Sequence, residues 1–189
     1  VAATRCNIHF QNWEKVEIQN AGGHTNTAQS PSVETLEASM SDDTNVTKVD
    51  NVNVTLNQPG DTAKYTFEII NEGTIDAKLD NFTATNTTNN DLVDYDVKCY
   101  TQANEQGTEV TQNSVLSANN GTIYCSMQVT YKDQSNSHTA GSNQVYHQDQ
   151  ISTNLTAQWT WVQNDGSSAQ SGCNIENNST ETTFDGTYV

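Results

Sequence analysis

Apolar side chains recur at every second position in several stretches of this chain, whereas the helical period of 3.6 residues is almost absent. The clearest alternating stretches are residues 52–56, 65–69, 95–99, 123–131 and 155–161. Such alternation is typical of strands that turn one face to a core and the other to water. With turn-forming residues between them, the stretches predict about seven to nine strands. We therefore expect an all-β fold, an antiparallel β-sandwich of jelly-roll or Ig-like type.

The same pattern divides the chain into three segments. Residues 1–19 are predicted to form an N-terminal strand segment. Residues 20–32 are polar, contain two glycines and a proline, and are predicted to form a flexible linker. Residues 33–189 are predicted to form the sandwich domain with an extended C-terminal tail. The apolar positions of the N-terminal strand are Cys6, Ile8, Phe10, Val16 and Ile18.

Two stretches of the third segment lack strand alternation. Residues 33–40 permit a short helix, although their apolar spacing is thin. Residues 132–150 are rich in Asp, Ser, Asn and Gly and are predicted to form a long exposed loop.

Acidic side chains outnumber basic ones by 23 to 7, which gives a formal charge of −16. This charge repels phosphate backbones and anionic membranes, so we expect neither a nucleic-acid partner nor membrane insertion. The chain begins Val-Ala-Ala-Thr, which fits a mature form left by signal cleavage. No cofactor is expected. Calcium is the cation that would suit converging carboxylates, but the sequence assigns no metal ligands.

The four cysteines, Cys6, Cys99, Cys125 and Cys173, match no zinc or redox spacing, and they allow three pairings. Disulfides are typical of oxidising compartments, so a secreted or cell-surface location is expected. Cys99 and Cys125 both fall on the apolar face of a predicted strand. We therefore favour the pairing Cys99–Cys125, which leaves Cys6–Cys173 to join the two ends of the chain.

No residue pattern in the chain predicts catalysis. The sequence has no G-x-S-x-G elbow, no glycine-rich phosphate loop and no His spacing typical of a metal site. The carboxylates that lie close together in sequence are typical of solvated turns. Trp159 and Trp161 share an apolar face with Leu155 and are expected in the core. Trp13 could either pack in the core or form an exposed platform for sugar binding, and the sequence leaves these two roles open.

Asn-x-Ser/Thr tripeptides are frequent. With 24 Asn and 42 Ser and Thr residues, about five would occur by chance, so their number alone does not establish N-glycosylation. The candidate acceptors include Asn45, Asn53, Asn81, Asn86, Asn120, Asn154 and Asn178.

Residues 52–77 resemble a segment of the TasA/camelysin biofilm-fibre family. The resemblance is carried by Pro59-Gly60-Asp61 and by Asn71-Glu72-Gly73. Later in the chain, residues 128–133 and 155–159 are similar to the two closing strands of that family. The match covers roughly residues 46–162. Its turns also occur in unrelated secreted sandwiches, and the cysteines of this chain are not part of the family pattern.

The resemblance implies a fibre subunit similar to those of archaeal bundling pili, in which a jelly-roll-like domain donates its N-terminal strand to a neighbour. The residues permit this independently, because the roughly 13 residues of the linker span up to about 45 Å when extended. The alternative is that residues 5–18 form edge strands of their own sandwich. A bond between Cys6 and Cys173 within one chain would oppose donation, whereas the same bond between subunits would lock a fibre covalently.

The expected function is that of a non-enzymatic structural subunit of an extracellular filament, pilus or biofilm-matrix fibre. Its partner would be further copies of itself, joined by donor-strand complementation. The alternative is a secreted Ig-like adhesin or binding module of a cell surface. A secreted hydrolase is a third class, for which no catalytic residue can be nominated.

Overall fold

The computed structural model describes residues 5–19, 27–28, 32–36, 45–89, 91–132, 150–166, 172–173 and 180–183. All regular secondary structure within these ranges is β-strand, as the alternating pattern predicts. The strands are β1 (Ile8–Gln19), β2 (Thr27–Ala28), β3 (Ser32–Leu36), β4 (Asn45–Leu56), β5 (Thr62–Asn71), β6 (Ala77–Asn86), β7 (Val93–Gln102), β8 (Gln106–Glu109), β9 (Val115–Leu116), β10 (Gly121–Tyr131), β11 (Ile151–Gln163) and β12 (Thr180–Thr183).

The strands form two antiparallel sheets that pack together as a sandwich. Sheet A has the order β1-β5-β10-β7-β8, and sheet B has the order β12-β3-β4-β11-β6-β9, with β2 also pairing with β4. From β4 to β7, consecutive strands alternate between the sheets. Strand β10 then enters between β5 and β7, while β11 enters between β4 and β6. The predicted antiparallel β-sandwich is therefore confirmed.

The core lies between the sheets and is built from the alternate residues of each strand. Along β11, Leu155, Ala157, Trp159 and Trp161 are all buried, as their shared apolar face predicts. Phe67 of β5 meets Trp159 edge-to-face across the sandwich, with ring centroids 5.6 Å apart. Burial of such large side chains contributes roughly 1.5–3 kcal/mol each, which suits a chain with only 33% hydrophobic residues.

Both predicted disulfides are present. Cys99 of β7 lies directly opposite Cys125 of β10 in the ladder, and the two are bonded. Cys6 is bonded to Cys173, 167 residues further along the chain. All four cysteines are therefore oxidised, which is characteristic of proteins in oxidising compartments.

The short helix predicted in residues 33–40 is wrong, because Ser32–Leu36 forms β3. Backbone pairing with β4 places Val33 opposite Val49, and this tertiary ladder outweighs a weak local preference. Within the predicted linker 20–32, Thr27–Ala28 pairs with β4. Most of that linker lies outside the described residues, as does most of the predicted loop 132–150.

Candidate functional site: the N-terminal dock

Strand β1 is the edge strand of sheet A, and its ladder runs along β5 alone among the described strands. The ladder extends from Ile8 opposite Asn71 to Gln19 opposite Thr62, with two irregularities. We call β5 together with the following turn, residues 72–75, the N-terminal dock. This site holds the strand that the sequence marks as a candidate donor.

The apolar side chains of the candidate donor strand enter the core. Cys6 and Ile8 have no exposed surface. Phe10 lies edge-to-face on Phe67, with ring centroids 5.6 Å apart. Trp13 stacks on Phe67 at 5.2 Å, so the question left open for this residue is resolved in favour of packing. The side chains of Val16 and Ile18 lie outside the described part, although their backbone belongs to β1.

Asn71 of the Asn-x-Gly motif clamps the start of the N-terminal segment. Its side-chain Oδ1 accepts hydrogen bonds from the backbone N–H groups of Asn7 and Gly73, both at 3.0 Å. Its Nδ2 donates to the carbonyl oxygens of Ile75 and Leu116, at 2.9 and 3.1 Å. All four bonding positions of the amide are thus used, and the residue has no exposed surface. A buried amide satisfied in this way fixes the backbone path of the N-terminal segment and of the turn that follows β5.

Gly73 is needed because the N-terminal segment passes against its backbone. A Cβ atom at this position would lie 2.7 Å from the Asn7 nitrogen and from the Cys6 Cα, and still closer to the Arg5 carbonyl oxygen. Arg5 O accepts a hydrogen bond from the N–H of Thr74 at 2.9 Å. The glycine therefore serves close backbone approach.

The Pro-Gly-Asp turn anchors the opposite end of β5. Asp61 is fully buried, and its Oδ2 accepts hydrogen bonds from the N–H groups of Asn57 and Gln58 at 2.8 and 3.1 Å. Gly60 has a φ of +98°, a conformation that favours glycine, and its N–H donates to Tyr131 O. Both family-like motifs therefore stabilise the two ends of the strand on which β1 lies.

Arg5 and Asn7 belong to this site, and sequence reasoning missed them. The Arg5 guanidinium donates to Gly172 O at 3.1 Å, beside the Cys6–Cys173 bond. The available signal was the Asn-x-Gly motif, since a glycine in a motif often marks a close approach. It does not reveal which segment approaches, because Asn7 and Asn71 are 64 residues apart.

The described residues contain no group of three or more His, Cys, Asp or Glu side chains that could hold a metal ion. His9 lies half-buried on β1, and the other three histidines lie outside the described ranges. Asp91, Asp94 and Asp96 are exposed. Asp91 lies in a turn as expected, but Asp94 and Asp96 lie on β7, so the turn interpretation is wrong for these two. Within the described part, no helix is long and apolar enough to cross a membrane.

The candidate glycosylation acceptors differ in accessibility. Asn81 and Asn120 are exposed. Asn154 Nδ2 donates to Asn53 Oδ1 at 2.7 Å across the β4–β11 ladder. Asn86 has a buried Nδ2, the atom that a glycan would occupy. The side chain of Asn45 and the whole of Asn178 lie outside the described residues.

These features define the class as a disulfide-linked, two-sheet antiparallel β-sandwich with its N-terminal strand at a sheet edge. No family model, curated protein or solved structure matches the chain.

Proposed function

We propose that this chain is a structural subunit of an extracellular filament, pilus or biofilm-matrix fibre. Copies are joined when the N-terminal strand of one copy occupies the N-terminal dock of the next. The observation that carries this proposal is that β1 is an edge strand paired with β5, and that the residues just before it pack against Asn71 and Gly73 of the N-terminal dock.

Transfer of β1 between copies would preserve the contacts that hold it. An edge strand can pair with β5 of its own chain or of another chain through the same hydrogen bonds, which is the basis of strand exchange and of β-augmentation. Seven residues, 20–26, separate Gln19 from Thr27, and a fully extended stretch of that length spans about 25 Å. This reach restricts the acceptor to an adjacent copy.

The Cys6–Cys173 bond gives the exchange a covalent consequence. In the single chain, Cys6 enters the dock together with β1 and meets Cys173 there. If β1 crossed to a neighbour, Cys6 would meet the neighbour's Cys173 instead. Each junction of the fibre would then be closed by a disulfide, in keeping with an extracellular location.

A self-contained adhesin or binding module is the second candidate. The observation that favours it is that β1 and the Cys6–Cys173 bond both lie within one chain. In that arrangement the disulfide closes the sandwich, and the dock serves stability alone.

Electron microscopy of purified protein separates the two candidates. A fibre subunit at neutral pH forms regular filaments in negative stain, and non-reducing denaturing gels resolve them into a disulfide-linked ladder that collapses to one band after reduction. The matched control is the double variant Cys6→Ser, Cys173→Ser, which should form filaments that denaturant alone dissociates. Wild-type protein that stays monomeric under all these conditions would favour the adhesin.

A further inference from the structure

A depression of about 370 Å³ opens on the outer face of sheet A, the face turned away from the core. Its floor is formed by outward-facing side chains of the neighbouring strands β5 and β10, namely Thr66, Glu68, Tyr124 and Ser126. Ligand pockets in proteins usually range from about 300 to 1,000 Å³, so this volume suits a small ligand or a short part of a longer one. We call this site the outer depression.

A β-bulge in β1 builds one wall of the outer depression. Trp13 packs on Phe67 in the core, whereas Gln11 and Asn12, which precede it, both lie on the outer side. The extra residue is placed where the β1–β5 register shifts, and Asn12 has a φ of +55° there. Gln11 donates to Glu68 Oε1 at 3.0 Å, and Asn12 lines the depression. Because β1 supplies this wall from whichever chain it comes, the site does not depend on strand exchange.

The turn between β7 and β8 builds the opposite wall. Residues 103–105 form this turn, and all three line the depression. Glu105 Oε1 accepts a hydrogen bond from the Ser126 hydroxyl at 3.5 Å and lies 3.9 Å from Lys64 Nζ. The turn is therefore held over the outer faces of β10 and β5, and it encloses the depression on that side.

The polar groups of the lining favour a neutral ligand. Three carboxylates, from Glu14, Glu68 and Glu105, would face an anionic ligand. A cationic ligand only donates hydrogen bonds, and it would compete with Lys64 for Glu105. A hydroxyl group both donates and accepts, so a polyhydroxylated ligand can use the carboxylates together with the ammonium, amide and hydroxyl groups of the lining.

Tyr124 adds an aromatic surface to this polar site. Its side chain is half-buried on the outer face of β10 and lines the depression. A pyranose ring presents C–H groups on its faces and hydroxyl groups around its edge. Its C–H groups can therefore pack on an aromatic ring while its hydroxyl groups reach the polar side chains nearby.

We infer that the outer depression binds a neutral glycan. One sugar ring packs on Tyr124, and its hydroxyl groups bond to the side chains of Glu68, Glu105 and Lys64 around it. This site goes beyond the proposed function, because it would attach the protein to extracellular polysaccharide whether the chain is a fibre subunit or a self-contained module.

Saturation-transfer NMR of the disulfide-intact protein tests the ligand class. The probes are neutral tetrasaccharides of glucose, mannose, galactose and N-acetylglucosamine, with a galacturonic acid tetramer and a tetralysine peptide for comparison. We expect at least one neutral tetrasaccharide to bind and neither charged probe to do so. Failure of every neutral tetrasaccharide to bind would overturn the inference, as would binding confined to the uronic acid tetramer or to the peptide.

Two variants of Tyr124 test the role of its ring. Tyr124→Ala should weaken binding of the neutral tetrasaccharide at least about fivefold, whereas Tyr124→Phe keeps the ring and should change it less than about twofold. The matched control is Tyr100→Ala. Tyr100 is also half-buried and lies opposite Tyr124 on β7, but it does not line the depression. Equal losses for the two alanine variants would contradict the assigned site.

A blocking pair tests the same site without removing the tyrosine. Ser126→Trp places a large side chain on the floor of the depression and should abolish binding. Gln128→Trp, at the next outward position of β10 and outside the lining, should bind like wild type. Circular dichroism and thermal unfolding confirm that both variants are folded. Equal binding by these two folded variants would show that the glycan lies elsewhere.

Discussion

Asn71 uses all four bonding positions of its amide at a place where it has no exposed surface. Gly73, two residues later, leaves room for the backbone of Arg5 and Cys6. At residue scale the Asn-x-Gly motif therefore holds the N-terminal segment in place. The motif needs Asn at position 71 because its amide can make four hydrogen bonds, and Gly at position 73 because a side chain would not fit there.

Replacement of Asn71 by Ala removes four hydrogen bonds and leaves several buried backbone groups unpaired. We expect the free energy of unfolding to fall by about 2–4 kcal/mol, measured by denaturant titration with the disulfides intact. Asn81→Ala, at an exposed strand position, is the control and should change it by less than about 0.5 kcal/mol. Equal effects of the two variants would show that Asn71 does not anchor the N-terminal segment.

Gly73→Ala places a Cβ atom against the backbone of residues 5–7 and should displace the N-terminal segment from the dock. Because Cys6 reaches Cys173 only when that segment is docked, we expect thiol titration of the denatured protein to reveal free thiols that wild type lacks. Glu72→Ala, at the exposed neighbouring position, should leave all four cysteines oxidised. Complete oxidation of the Gly73 variant would contradict the close approach.

At the scale of the elements, β10 is a central strand of sheet A, paired with β5 on one side and β7 on the other. The Cys99–Cys125 bond joins β10 to β7 at directly opposite positions. It closes a loop of 26 residues in sequence and so limits the conformations of the unfolded chain between them.

The double variant Cys99→Ala, Cys125→Ala should lower the free energy of unfolding by about 3 kcal/mol, because the unfolded chain regains that conformational freedom. The measurement is denaturant titration, with the Cys6–Cys173 bond verified by intact mass. Adding a reductant to wild type should lower stability further, since it opens both bonds. A loss below about 1 kcal/mol for the double variant would mean that the bond does not restrain the unfolded state.

Sequence patterns predict those elements whose burial is regular. Strands such as β5 and β11 bury alternate residues, so the period of two was visible before folding, and the opposed apolar cysteines followed from it. Strand β3 was missed, because its conformation depends on pairing with β4. The partners of Asn71 were also not predictable. They belong to segments far apart in sequence, and one sequence without its fold does not show which segments meet.

At the scale of the whole molecule, charge opposes association. Each copy has a formal charge of −16, so the approach of two copies brings many carboxylates together. The contact proposed to join copies, β1 in the N-terminal dock, rests on backbone pairing and apolar burial instead.

Salt should therefore promote assembly. Between about 0.01 and 1 M NaCl the Debye length falls from about 30 to about 3 Å, which screens the repulsion. We expect the protein concentration at which filaments sediment to decrease as salt rises, measured by ultracentrifugation of matched samples. The control is an equal osmolality of glycerol, which should have no such effect. Dissolution of filaments by salt would mean that ion pairs between copies hold them.

The central claim is that β1 of one copy occupies the dock of another, and a mixture of two single variants tests it most directly. Cys6→Ser chains retain Cys173, and Cys173→Ser chains retain Cys6, so neither variant alone can form this disulfide. If β1 crosses between chains, the mixture yields a disulfide between Cys6 of one variant and Cys173 of the other, identified by peptide mass mapping. If the mixture contains no such peptide while each variant remains folded, β1 stays in its own chain and the fibre proposal fails.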